Sequence, residues 1–416
     1  MIDRRTALRW GGGAAIGAAG LGVARAIDQG VIPILPRPGL DAWRDWNSGR
    51  HGGPLALVAA GVLASSPHNT QPWQFAVGRL GVDIFEVPER ALGAMDPFGR
   101  ERLAGLGAAV HNMALASTGI GRSAYVRLLP DAGNPLHIAR VVLGPEGQPM
   151  APHPLVAAIG HRHVDRGAYR GGAVAPEKVA ALAATAGSPL VRIALFDAGS
   201  ARGRRFADLT IDATAAIAAD DDIMAASHSW FRHARRDQDR LKDGLGIFTS
   251  GVSPVIAAAG AMLPEQTPAS EGRYWLASTR ETALPTASLF GLILVADPWD
   301  RRSALLAGMA WQRLHLTATR AGLAAQPLNQ LPEMIDRERQ LGRPPGFARA
   351  ADALLDDAAW RPTFALRIGN PVAPAPASPR RPVSAVIGAP ARLDWDVEQA
   401  RAETAAQDAA LARRLK

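Results

Sequence analysis

The stretch from Ser65 to Phe75, SSPHNTQPWQF, constrains the fold of this chain more than any other. It follows an apolar, helix-like run from Leu55 to Ala64 and leads into Trp73 and Phe75 alternating with polar Gln74. A helix therefore ends here and a strand begins. Pro67 and Pro72 fix two φ angles in between, so the connection is stiff. Ser65, Ser66, Asn69 and Gln71 set hydroxyl and amide groups along it, a composition that suits a planar ligand with polar edges. By composition alone it is equally an ordinary helix-to-strand turn, since Ser, Pro and Asn dominate turns.

The string as a whole resembles the SSxNxQPW loop of the nitroreductase superfamily, the FMN-dependent α+β oxidoreductases. In that family two subunits build each flavin site, and this loop reaches from one subunit to the flavin held by the other. The resemblance implies that Ser65, Ser66, Pro67 and Asn69 contact FMN, with Gln71 and Trp73 shaping the pocket.

At 416 residues the chain exceeds one ordinary domain, and 48% hydrophobic with 20% charged residues is a globular composition. The formal charge of +8 does not point to nucleic acid: the arginines are scattered, and Lys178, Lys242 and Lys416 are the only lysines. The absence of cysteine excludes disulfides and thiolate metal sites. At the N-terminus, Asp3-Arg4-Arg5-Thr6-Ala7-Leu8-Arg9 precedes a glycine-rich run from Gly11 to Val23 and then Ala24-Arg25-Ala26. That is the layout of a secretory signal, and the arginine pair resembles a twin-arginine leader. Residues 1–26 are expected to be a signal peptide read by the twin-arginine translocase. The protein would then be periplasmic or otherwise exported, and cytoplasmic if the leader is not used.

Beyond the leader the chain reads as two unequal halves, 27–150 and 151–375, with an insertion at 219–264 and a C-terminal arm at 376–416. The segment Arg100 to Gly121 carries Leu103, Leu106, Val110 and Met113 at helical spacing. Asn112-Met113-Ala114-Leu115, ending at Gly121, superposes on Arg313-Leu314-His315-Leu316, ending at Gly322. The motifs are complementary. Only the second half contains His161-Arg162-His163-Val164-Asp165-Arg166, which resembles the arginine signature that opens nitroreductase domains. Only the first contains the SSxNxQPW loop. The resemblance therefore implies an α+β fold of two tandem half-domains forming an intrachain pseudo-dimer, as in the Acg-like branch. It would hold one composite FMN site per chain and be a monomer or weak dimer.

Two further segments match the family. Gly322 to Gln330 corresponds to the stretch along the reactive edge of the flavin and brings in Pro327, Leu328, Asn329 and Gln330. Pro379-Arg380-Arg381-Pro382 corresponds to the C-terminal basic pair that closes on the phosphate. Arg162, Arg166, Arg380 and Arg381 would converge on that dianion as guanidinium forks, with His163 beside them. The pattern departs from the family at His163-Val164 and at Asn329, where many relatives carry an acid. No metal site is expected, because His161 and His163 flank an arginine, and no protein acid or base stands out as catalytic. The implied activity is flavin-mediated reduction of small conjugated acceptors such as nitroaromatics or quinones; the alternative is FMN storage. The insertion is either a lid or a peripheral helical pair.

Overall fold

The computed structural model describes residues 21–32, 37–147, 150–357, 359–388 and 397–414. Two antiparallel sheets, each backed by helices, give the expected α+β fold in two tandem halves. In the first, β1 (Trp73–Val77), β2 (Gly81–Glu86), β3 (Ala124–Leu128) and β4 (His137–Leu143) lie in the order β1-β2-β4-β3. A two-residue strand, β5 (Tyr169–Arg170), opens the second sheet on the edge of β9. There β6 (Arg192–Asp197), β7 (Leu289–Val295), β8 (Ala324–Pro327) and β9 (Arg361–Pro371) repeat the same order, β6-β7-β9-β8, with every pair again antiparallel. The seven-residue run of β7 is buried throughout, as a central strand covered on both faces must be.

Helix α1 (Pro54–Gly61) leads into the Ser65 loop, and the centre of the molecule is the crossing of α2 (Arg100–Gly119) with α3 (Arg301–Arg320). Leu103, Leu106, Val110 and Met113 are buried, as their spacing predicts. A Cβ on Gly107 would lie 2.1 Å from the Leu305 carbonyl oxygen, and one on Gly308 would lie 2.0 Å from that of Ala104. Only glycine permits backbones this close. The contact is reciprocal, since residue n on α2 corresponds to n+201 on α3. The same offset relates Gly121 to Gly322, both at φ 73°. Helix α3 serves both cores: Leu305 and Leu316 pack with Leu106 and Trp73, whereas Trp311 and Leu314 pack with Ile293 and Leu366.

The chain does not part cleanly at 150. Leu155, Ala158 and Ile159 still pack into the first core. The arm returns to the first half, where Phe75 N donates to Val386 O at 2.8 Å and Gly388 N donates to Phe75 O at 2.7 Å. Of the expected leader, residues 1–20 lie outside the described residues. Residues 21–28 are helical and run across the expected boundary at 26. From this helix the Arg25 guanidinium donates to Met262 O and Leu263 O in the insertion, at 3.2 and 3.0 Å. No helix among the described residues is long and apolar enough to cross a membrane.

Candidate functional site

The loop after α1 is held in a demanding backbone conformation. His68, Asn69 and Gln71 have φ of 45°, 55° and 51°, left-handed values that non-glycine residues adopt at a cost of about 1–3 kcal/mol each. Hydrogen bonds hold it there. Ser66 Oγ accepts from Gln71 N at 3.0 Å. Asn69 Nδ2 donates to Gly244 O (3.3 Å) and Pro379 O (3.0 Å), while its Oδ1 accepts from Arg380 Nη1 at 2.7 Å. Gln71 donates to Lys242 O at 2.7 Å and accepts from Arg381 N at 2.8 Å. Asn69 and Gln71 thus pin the loop to the insertion and the arm. Ser65 Oγ accepts from Trp311 Nε1 at 2.8 Å and donates to Gln312 Oε1 at 3.3 Å, joining the loop to α3. Trp73 lies in the first core.

A cavity of about 980 Å³ opens beside this loop, at the upper end for a small-molecule site. Ser65, Ser66 and Pro67 line it from the first half, and Arg166, Pro327, Asn329 and Gln330 from the second. The insertion contributes Phe231, Ile247 and Val252, so it forms part of the cavity wall. Leu328 points away, into the core beneath β7. Asn329 Oδ1 accepts from Ala365 N at 2.9 Å, and Gln330 Oε1 is buried without a partner. Helix α4 (Gln330–Gln340) starts at this wall without a side-chain cap. Its first N–H groups and the positive end of its dipole are therefore available to an anion.

The four arginines of the sequence reading do not all meet. Arg162 and Arg380 do, their guanidinium carbons lying 5.9 and 4.9 Å from the ring of Trp43. Arg162 donates to Leu63 O at 3.0 Å and Arg380 to Ala64 O at 3.3 Å, which sets the pair just behind the Ser65 wall. Among the described residues neither has a carboxylate partner, and the Nε atoms of both are buried and unsatisfied. Desolvation lowers both pKa values, that of Arg162 to about 10, and Arg162 lowers that of Arg380 further. The His163 ring lies 4.5 Å from Trp43 with its Nδ1 also orphaned, and burial followed by Arg162 lowers its pKa to about 3. Arg166 instead reaches the cavity, bonded to Thr249 O at 3.2 Å. The Arg381 side chain turns to Ala385 O at 2.7 Å.

Three groups escaped the sequence reading. Trp43 carries no motif. Glu101 on α2 and Glu333 on α4 both line the cavity, and they are distant in sequence, so no spacing reveals them. Burial raises the pKa of each, and the neighbouring Glu101 raises that of Glu333 further. Arg100, 2.7 Å from Asp336, lies beside Glu101 and opposes the shift there.

No family model matches the chain. It is 29% identical over 348 residues to a Mycobacterium tuberculosis protein named "Putative NAD(P)H nitroreductase", covering 81% of this chain and 91% of that one. The M. tuberculosis "Putative NAD(P)H nitroreductase acg" is 35% identical over 112 residues, 27% of this chain and 34% of its own. Among solved structures, the FMN-dependent nitroreductase NfnB of Mycobacterium smegmatis in complex with NADPH aligns at 18% identity and a TM-score of 0.36, covering 55% of this chain and 94% of its own. A Bacteroides fragilis nitroreductase with bound FMN aligns at 13% identity and a TM-score of 0.34, covering 55% and 95%. The M. tuberculosis relatives, together with the motifs assembled around the cavity, support placing the chain in the nitroreductase superfamily.

Proposed function

We propose that this protein is an FMN-dependent oxidoreductase of nitroreductase type, with one composite site per chain in an intrachain pseudo-dimer, reducing small conjugated acceptors. The observation that carries the reading is the pair Arg162 and Arg380. Two buried guanidinium groups with orphaned Nε atoms and no carboxylate cost stability until an anion joins them. A phosphate dianion meets that requirement through charge-assisted hydrogen bonds. The two arginines come from opposite ends of the second half and the arm, yet both rest on the carbonyls of Leu63 and Ala64 in the first half. The reciprocal α2–α3 crossing and the repeated strand order support the pseudo-dimer.

In this reading Arg162, Arg380 and His163 would hold the phosphate, with Arg166 on the cavity wall. Bound FMN supplies the electron transfer. The uncapped start of α4 stabilises negative charge next to Asn329 and Gln330, without reorganisation at the moment of transfer. The Glu333 carboxyl holds a proton at the wall, where an acceptor that gains electrons needs one. The insertion would cover that side. The same enclosure favours a second reading, FMN storage.

Freshly purified protein should be yellow and release FMN, one per chain, on denaturation. Colourless protein that takes up no added FMN refutes the reading. Reduction by NADPH or NADH distinguishes the reductase from the store, which only dithionite would reduce. The leader reading places the protein outside the cytoplasm. Replacing Arg4 and Arg5 by lysine should then retain it inside, because lysine does not reproduce the paired guanidinium forks; unchanged fractionation overturns export.

A further inference from the structure

A second cluster of chemistry lies on the same cavity, in and beside the insertion. His228 ends the helix Asp221–His228, His233 follows in the next turn, and Glu271 lies in the first turn of the helix Pro268–Ser278. One ligand atom from each lies within 4.8 Å of the other two, and all three side chains are half-buried. His228 Nδ1 and Glu271 Oε2 approach to 3.1 Å, yet that nitrogen has no partner in hydrogen-bonding geometry, and Glu271 Oε1 is buried and unpartnered as well. Two ligands about 2.1 Å from one metal ion lie roughly 3.0–3.4 Å apart in octahedral or tetrahedral coordination; the His228–Glu271 pair has that separation, and His233 lies within 4.8 Å of both.

We propose that His228, His233 and Glu271 form a binding site for a divalent transition-metal ion of the zinc class. Two imidazoles and one carboxylate are a donor set that such ions take, and one that leaves a coordination position open. The C-terminal end of the Asp221–His228 helix adds a partial negative charge beside the ion. His233 and Glu271 also line the cavity, from which the open position would take an oxygen donor. The ion would clip the insertion to the Pro268–Ser278 helix. The site is independent of the flavin reading.

The test uses the tag-free, full-length protein stripped with chelator. Titration with Co2+ should give one equivalent of bound ion with the visible absorption of a low-coordinate site, and Zn2+ should displace it. His233→Ala and Glu271→Gln should each weaken Zn2+ binding by more than the roughly 10–100-fold that loss of an outer-shell partner costs, while their metal-free thermal midpoints match the wild type. If either variant fails to fold, the wild type alone decides: Zn2+ raises its midpoint and Mg2+, which prefers oxygen ligands, does not. The proposal is overturned if the wild type binds no Co2+ or binds it with an octahedral aquo spectrum. It also fails if the folded variants bind Zn2+ as the wild type does, or if Zn2+ and Mg2+ shift the wild-type midpoint alike.

Discussion

Replacing Gly107 by alanine should strike the crossing that joins the two halves. The new Cβ would lie 2.1 Å from the Leu305 oxygen, whereas such carbon–oxygen contacts settle near about 3.3 Å. The helices must therefore separate by roughly 1 Å along that line, because the obstructing atom is backbone and has no rotamer through which to escape. Overpacking of this kind costs about 1–3 kcal/mol. The separation also stretches the bond from Gln312 to Asn112, now 2.8 Å, for about 1 kcal/mol more. Alanine regains about 1 kcal/mol of helix propensity, which offsets the weakened bond, so the net loss should be roughly 1–3 kcal/mol. Gly308→Ala meets the Ala104 oxygen at 2.0 Å and should cost the same. Once one substitution has opened the gap, the second has less to do, so the double variant should fall short of the sum by more than about 0.5 kcal/mol. Gly119→Ala is the control, since its Cβ meets only the Val156 side chain, at 3.2 Å. Urea unfolding of the four variants measures these terms. Equal midpoints for Gly107→Ala and Gly119→Ala would refute the close crossing, and strict additivity would refute the reciprocal contact.

Three other outcomes follow from the site. Arg162→Met should leave the flavin-free protein no less stable at neutral pH while weakening FMN binding by about 10–100-fold, the worth of one charge-assisted hydrogen bond. Burial depresses the pKa of Arg162, so its cost is present at every pH below about 10 and the comparison should not change between pH 6 and 8. Glu333→Gln should flatten the pH dependence of stability. In the unfolded chain the glutamate ionises near 4.5, but burial keeps Glu333 protonated in the fold, so wild-type stability falls as pH rises above that value. Urea midpoints at pH 5 and 8 should differ more for the wild type than for the variant. Asn69→Ala should expose residues 378–388 to faster hydrogen exchange, having lost three hydrogen bonds and the residue that best tolerates φ of 55°. Asn69→Gly keeps the backbone and should show the loss of bonds alone.

What the sequence revealed and what it hid divide along physical lines. The register that sets Gly121 against Gly322 also sets Gly107 against Gly308, because a periodic apolar face survives divergence better than any one side chain. The motif loop was placed correctly between helix and strand, and Ser65, Ser66, Pro67, Arg166, Pro327, Asn329 and Gln330 all reach one cavity. The roles of Asn69 and Gln71 were not legible, since their partners Gly244, Lys242, Pro379 and Arg381 stand more than a hundred residues away. Arg381 was expected beside Arg380 on the phosphate, but adjacent residues on an extended arm point opposite ways. Arg380 turns to Ala64 O, whereas Arg381 reaches Ala385 O within the arm.

The cavity owes its polarity to helix ends and buried charge rather than to any one motif. Behind the Ser65 wall stand two guanidinium groups with no carboxylate partner among the described residues; on the cavity wall, burial raises the pKa of Glu101 and Glu333. Each set alone would cost stability, by desolvation for both and, second, by like-charge repulsion for the arginines. They persist behind the same loop and wall, where a ligand with an anionic tail and a proton-coupled ring answers both. The arginines need the anion at every neutral pH. The acids need no partner charge, because burial keeps the proton on Glu333. A ligand that carried only the anionic tail would therefore relieve the arginine pair and leave the acid pair unchanged. Inorganic phosphate should accordingly raise the unfolding midpoint of the flavin-free protein, and Arg162→Met should abolish that rise while Glu333→Gln should not. If phosphate stabilises the Arg162→Met protein as it does the wild type, the guanidinium pair is not the anion site.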